Sequence, residues 1–241
     1  MSRTLNLLSA GAAQGLVTAL TERLGQELAV TVSGRFGAVG AMREAFEAGE
    51  SCDVFISTHA MVLDMASGGA LQIETLAPLG HVETGVAVRC GPSGSKESDK
   101  FPHPDVSSAQ ALARALQACD ALYFPDPQRA TAGIHFAKVF RLLGLEDSLR
   151  SRFHTFPNGA TAMREMAASD SARPLGCTQK TEILFTPGVE WVGPLPKGFE
   201  LATVYTAAVS SQARDRSLAH EFVALLAGSQ AASVRKATGF V

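Results

Sequence analysis

Apolar residues recur along this chain in two alternating rhythms. Short runs with β-branched and aromatic content, "TLNLLSA" (4–10), "LAVTVSG" (28–34), "CDVFIST" (52–58) and "HVETGVAVRC" (81–90), have the length of buried strands. Between them the spacing changes to that of a helix face. Leu16, Ala19, Leu20 and Leu24 line one side of a helix expected from about Ala12 to Gln26, and Met42, Ala45 and Phe46 line one side of a helix over 38–48. "HAMVLDMASGG" (59–69) reads as a helix stopped by its glycines. The polar tract "GPSGSKESDKFPHPDVSS" (91–108) reads as a loop.

The rhythm resumes beyond that loop. "DALYFPD" is a strand, "PQRATAG" a turn, and a helix follows from Gly133 to about Leu143. "FHTFPNGATAMREMAAS" is a further strand, turn and helix with Met163 and Met166 in the core, and "PLGCTQKTEILF" a strand that empties into a turn. "ELATVYTAAVS" returns as a strand before two closing helices within 214–240. Alternation of this kind predicts an α/β fold with mainly parallel sheets. Two successive sets, the chain end completing the first, predict two Rossmann-like lobes with a ligand cleft between them.

Composition narrows the function. At 46% hydrophobic and 18% charged residues the chain reads as globular. A net charge of −2 with no basic run leaves no electrostatic footprint for nucleic acid. No apolar stretch approaches the ~18 residues of a membrane span. Residues 1–11 enter a strand at once, so no secretory leader is expected within the chain. The expected location is periplasmic if a leader has been removed and cytoplasmic otherwise. Cys52, Cys90, Cys119 and Cys177 form no CxxC pair, and the six histidines do not cluster with them. They read as small core residues, with no metal and no cofactor expected.

Open α/β sheets bind ligands where strands end and helices begin. Four turns suit that edge: "SAGAAQG" (9–15), "GRFGAVG" (34–40), "RATAG" (129–133) and "PNGAT" (157–161). Small residues there let an anion approach backbone N–H groups. Arg35 is read as lying in the second turn, just ahead of a helix start at Gly37-Ala38.

The stretches "NLLSAGAAQGL", "FEAGESCDVFIST", "DPQRATAGIHFAKVFRLLGL", "RPLGCTQ" and "LLAGSQAASVRKATGF" make the chain resemble the molybdate-binding-like bacterial solute-binding proteins over nearly its whole length. The resemblance implies the type II periplasmic-binding-protein architecture, with lobe I at 1–85 plus 201–241 and lobe II at 86–200. It also implies a ligand shell of two serines, two backbone amides and a tyrosine. Carried over, the first serine falls at Ala12 and the second in Ala38–Gly40, the amides at Ala132 and near Gly159-Ala160, and the tyrosine at Gln179. With those hydroxyls absent, tight molybdate binding is not expected. Arg35 supplies a planar fork for a carboxylate, with Thr58, Asn158, Gln179 and Thr181 at neighbouring edges. A di- or tricarboxylate site follows, and the chain also resembles the aconitate isomerase-like members of that group.

The expected ligand contacts are therefore Gly11, Ala12, Arg35, Phe36, Thr58, Thr131, Ala132, Asn158, Gly159 and Gln179. Glu182 and His59 are the candidate catalytic residues, the first as a general base, the second as a proton shuttle. A surface cap for His59 and a solvated carboxylate for Glu182 are the plainer readings. His154 and Lys180 read as surface residues and Trp191 as packing. Isomerisation of cis- and trans-aconitate by proton transfer in a monomer is favoured. The alternative is a non-catalytic receptor passing molybdate or another small anion to an ABC permease.

Overall fold

The computed structural model describes residues 3–28, 30–90 and 103–241. Most of the polar tract 91–108, and the side chain of Leu24, lie outside the described residues. The chain divides into two compact units, Met1–Val82 with Thr203–Val241, and Glu83–Ala202.

In the first unit, β1 (Arg3–Ala10), β2 (Val30–Gly37), β3 (Val54–Thr58) and β9 (Ala202–Val209) form a sheet in the order β2-β1-β3-β9. Alternate residues of these strands enter two cores. Leu5, Leu7, Val54, Ile56, Ala207 and Val209 meet Leu16, Val17 and Leu20 of α1 (Gln14–Leu28) and Leu218, Phe222 and Val223 of α9 (Arg216–Ala227). On the other face Leu8, Phe55 and Ala208 meet Met42 and Ala45 of α2 (Val39–Glu47) and Val62 and Met65 of α3 (His59–Ser67). Strands buried on both faces read as continuous apolar runs, which is why they were legible. A short helix, α10 (Ala232–Ala237), ends the unit.

The second unit has β4 (Ala77–Arg89, which begins in the first unit), β5 (Ala121–Pro125), β6 (Phe153–Phe156), β7 (Pro174–Gln179) and β8 (Val189–Pro194). Its sheet runs β4-β7-β5-β6, with β8 on β4. One face packs on α4 (Ala109–Ala118) and α5 (Thr131–Leu142) through Leu112, Leu116, Phe136 and Phe140. The other packs on α7 (Gly159–Ala168) and α8 (Lys180–Phe185) through Ala162, Met163, Met166 and Ile183. A single turn, α6 (Glu146–Leu149), follows α5.

Several expectations are corrected. The pairs β1–β2, β1–β3, β5–β6 and β5–β7 are parallel, whereas β9 runs against β3, and β4 against β7 and β8. β9 starts level with the end of β3, Tyr205 opposite Thr58, so it must run back along it. "KTEILF" is the helix α8 and not a turn, and both α4 and β8 escaped the pattern. Ser108 caps α4, accepting from Ala111 N at 3.1 Å, and the helix buries Ala111, Leu112, Ala115 and Leu116 on one face. α5 begins at Thr131, so Thr131–Gly133 form its first turn and not a loop.

Candidate functional site

Within the first unit, β1 and β2 are in register to their last residues, Ala10 opposite Gly37, while Ser9 lies opposite Ile56 of β3. The C-terminal ends of all three strands therefore share one edge. Each is followed almost at once by a helix: a 3-10 turn, Gly11–Ala13, leading into α1, then α2, then α3. Thr58 caps α3 by accepting from Met61 N at 3.4 Å. The other two helix starts, at Ala10 and Ala38, have no side-chain cap. An alanine at that position forgoes roughly 1 kcal/mol relative to Ser, Thr, Asp or Asn and leaves amides free for an anion.

Two more polar groups stand at this edge. Ser57 is fully buried, and its Oγ has no hydrogen-bond partner among the described residues. His59, the first residue of α3, is exposed, and its Nδ1 lies 3.0 Å from Oγ1 of the buried Thr206 in β9. Sequence reasoning named His59 but missed Ser57 and Thr206. The available signal was a hydroxyl closing the otherwise apolar run "VFIS".

Gly11 and Ala12 occupy the buried 3-10 turn after β1, where their amides belong to the uncapped helix start. Arg35 is a correction: it lies inside β2, opposite Leu8, and not in a turn before the helix. Eight consecutive pairings with β1 hold "GRFG" extended, overriding its glycine-rich composition. The guanidinium pairs with Glu50, and its side chain is 54% exposed. Phe36 packs against the core, its ring lying where a side chain at Gly34 would go. An exposed ion pair of this kind is worth about 0–1 kcal/mol. Arg35→Ala is therefore expected to leave the melting temperature almost unchanged and anion affinity within threefold. A loss above tenfold in a calorimetric titration would restore the carboxylate-fork reading.

In the second unit the parallel strands β5, β6 and β7 also end at one edge, followed by α5, α7 and α8. α5 has no side-chain cap at Ala130, and Ala132 in its first turn is buried. Asn158 caps α7, accepting from Thr161 N at 2.8 Å. Glu182 is buried, and both its carboxylate oxygens are engaged. Oε1 accepts from Gly159 N at 3.1 Å, and Oε2 accepts from Thr178 Oγ1 at 2.5 Å. Burial pushes its carboxyl above the usual range, against the lowering effect of these hydrogen bonds. Glu182 thus ties α8 to the start of α7, and the Gly159 amide expected to meet a ligand donates to it instead.

Gln179 and Thr181 are both buried, and Gln179 Oε1 and Thr181 Oγ1 have no partner among the described residues. Lys180 between them sits 5.4 Å from the centroid of the Trp191 ring and 3.8 Å from Glu83. Of the expected second-unit contacts, Gln179 has an unpartnered oxygen among the described residues and Ala132 lies at an uncapped helix start, while Asn158 Oδ1 and the Gly159 amide are engaged internally. All four cysteines are free thiols. Burial pushes Cys52 up to about 12 and Cys119 up to about 11, which keeps both unreactive. Among the described residues no group of three His, Cys, Asp or Glu could hold a metal ion, and no helix is long and apolar enough to cross a membrane.

A family model described as bacterial extracellular solute-binding protein matches residues 5–241. An aconitate isomerase from a Pseudomonas species is 23% identical over 98% of this chain and 87% of its own length. Among solved structures, the periplasmic molybdate-binding protein of Azotobacter vinelandii superposes with a TM-score of 0.77 at 18% identity, covering 98% of both chains. The sulfate-binding protein SubI of Mycobacterium tuberculosis gives a TM-score of 0.71 at 14% identity over 99% of this chain and 86% of its own. The mixed α/β fold is that of periplasmic binding proteins.

Proposed function

This chain belongs to the bacterial extracellular solute-binding protein family, and we propose that it captures a small anion as the non-catalytic binding component of an ABC-type uptake system. The observation that carries the reading is the first-unit edge. Two adjacent helix starts there lack side-chain caps, and a buried serine hydroxyl beside them has no partner among the described residues. Every open group on that edge donates hydrogen bonds, which suits a ligand made of anionic oxygens. The uncapped start of α5 and the Thr181 hydroxyl add donors of the same kind in the second unit. Periplasmic location, action as a monomer and a permease partner are parts of this proposal, the first supported by the extracellular description of the family.

A carboxylate is proposed over molybdate. Ala12, Ala38–Gly40 and Gln179 stand where the molybdate binders are expected to place hydroxyls, and each lost donor is worth roughly 1 kcal/mol or more beside a buried charge. Calorimetric titration with cis-aconitate, trans-aconitate, molybdate and sulfate is expected to give one-site binding, tightest for a carboxylate. Affinities weaker than about 1 mM for all four would remove the anion-binding reading. Submicromolar molybdate binding would remove the carboxylate preference alone.

A second reading, isomerisation of the bound tricarboxylate, is favoured by the similarity to the Pseudomonas aconitate isomerase. It needs a base that can reach the acidic methylene, a part better suited to the exposed His59 than to the enclosed Glu182. Mixing the protein with cis-aconitate and following trans-aconitate by NMR decides it. Ligand returned unchanged at stoichiometric protein leaves binding alone.

A further inference from the structure

The contact between His59 and Thr206 specifies more than proximity. Thr206 is fully buried in β9, and among the described residues the His59 ring nitrogen is the one hydrogen-bond partner of its hydroxyl. A threonine hydroxyl both donates and accepts. If it only accepted from a protonated Nδ1, its own hydrogen would be buried without an acceptor, which is costly. Donation from Oγ1–H to Nδ1 avoids that cost. It leaves the proton of the neutral imidazole on Nε2, at the exposed end of the ring. Ser57 stands directly opposite Thr206 in the antiparallel ladder, so both side chains rise from the same face, their Cβ atoms about 5 Å apart. Its hydroxyl is likewise buried and has no partner among the described residues.

We infer that Ser57, Thr206 and His59 form an anion subsite of the first unit, in which Thr206 sets the His59 tautomer and His59 Nε2–H and Ser57 Oγ–H donate to ligand oxygens. The inference rests on the proposal that this edge binds a small anion. It adds two ligand donors and one positioning residue to that proposal. Thr206 does not touch the ligand; its role is to hold the ring with the donor outward. Ser57 has no partner to lose, so its role shows in binding and not in folding. The ligand class follows from the donor set: an anion with at least two accessible oxygens, as a carboxylate or a tetrahedral oxyanion has.

The test has two arms on the full chain. Long-range proton–nitrogen NMR on uniformly nitrogen-15-labelled protein without added anion is expected to find the His59 ring protonated at Nε2. Thr206→Val should release that preference and Thr206→Ser restore it. Calorimetric titration with cis-aconitate, sulfate and molybdate is expected to lose at least tenfold in affinity for Ser57→Ala and for His59→Ala, with melting temperatures close to the parent's. An Nδ1-protonated ring in the parent would overturn the positioning role. An anion that binds the parent and both variants equally would overturn the subsite while leaving the proposed function intact. Failure of all three anions to bind the parent would take down the proposed function and the subsite with it.

Discussion

Gly133→Ala is expected to lower stability by about 3 kcal/mol, the upper end of what overpacking costs. A Cβ at this position would sit 2.2 Å from the carbonyl oxygen of Asp126 and 2.3 Å from that of Pro125. Both are backbone atoms, so no rotamer change relieves the clash. Nor can the segment retreat: Pro125 is paired with Phe156 of β6, and Asp126 N donates to Phe156 O at 2.7 Å. The alanine must therefore push α5 away from the end of β5. A shift in melting temperature on the order of 10 °C by circular dichroism follows from that cost. Movement of the helix start also displaces the Ala132 amide, so the folded fraction should bind its anion more weakly. A variant melting within about 2 °C of the parent would show that α5 accommodates the methyl without moving.

The second large effect belongs to Glu182. Glu182→Ala leaves the Gly159 N–H and the Thr178 hydroxyl without their acceptor in a buried site. A loss of roughly 2–4 kcal/mol is expected, since each buried orphan costs about 1–3 kcal/mol. Glu182→Gln keeps an acceptor for Gly159 and a polar group for Thr178, and should recover most of it. The pH dependence has a definite sign. Burial holds the folded carboxyl above its ordinary value, so between the unfolded and folded values the native state keeps a proton that the unfolded chain has released. The contribution is therefore fully present below the ordinary glutamate value and is lost as pH rises through the raised one. Urea midpoints at pH 4, 5.5 and 7 should show the parent losing ground to Glu182→Gln as pH increases. A parent that instead gains on the glutamine variant would mean that hydrogen bonding outweighs burial at this carboxylate. The same enclosure argues against Glu182 as a base for a bound substrate.

The alternation of strands with helices was legible because β1, β3, β5, β7 and β9 are largely buried and read as apolar runs, while each helix between them is covered on one face. Those are local periodicities that survive in any single stretch of chain. Thr58 and Asn158 cap their own helices within three residues, whereas the alanines at 10, 38 and 130 give no such local signal, and α5 starts two residues before the expected Gly133. α8 was missed because six residues are too few to display a period.

What the local pattern could not carry is which atoms remain open once the chain has folded. Arg35 looked like a clamp in a glycine-rich turn until eight pairings with β1 made the stretch a strand and Glu50 took the guanidinium. Gly159 and Glu182 are 23 residues apart, and only the packing of α8 against α7 turns one expected ligand group onto the other. Ser57 and Thr206 are separated by nearly 150 positions and meet through the β3–β9 register, which no periodicity encodes. The local pattern by itself determined most of the α/β elements, because helix and strand periods act over a few residues. Tertiary structure alone decided which donors are left for a ligand, because a hydrogen bond is available only where no distant partner has already claimed it.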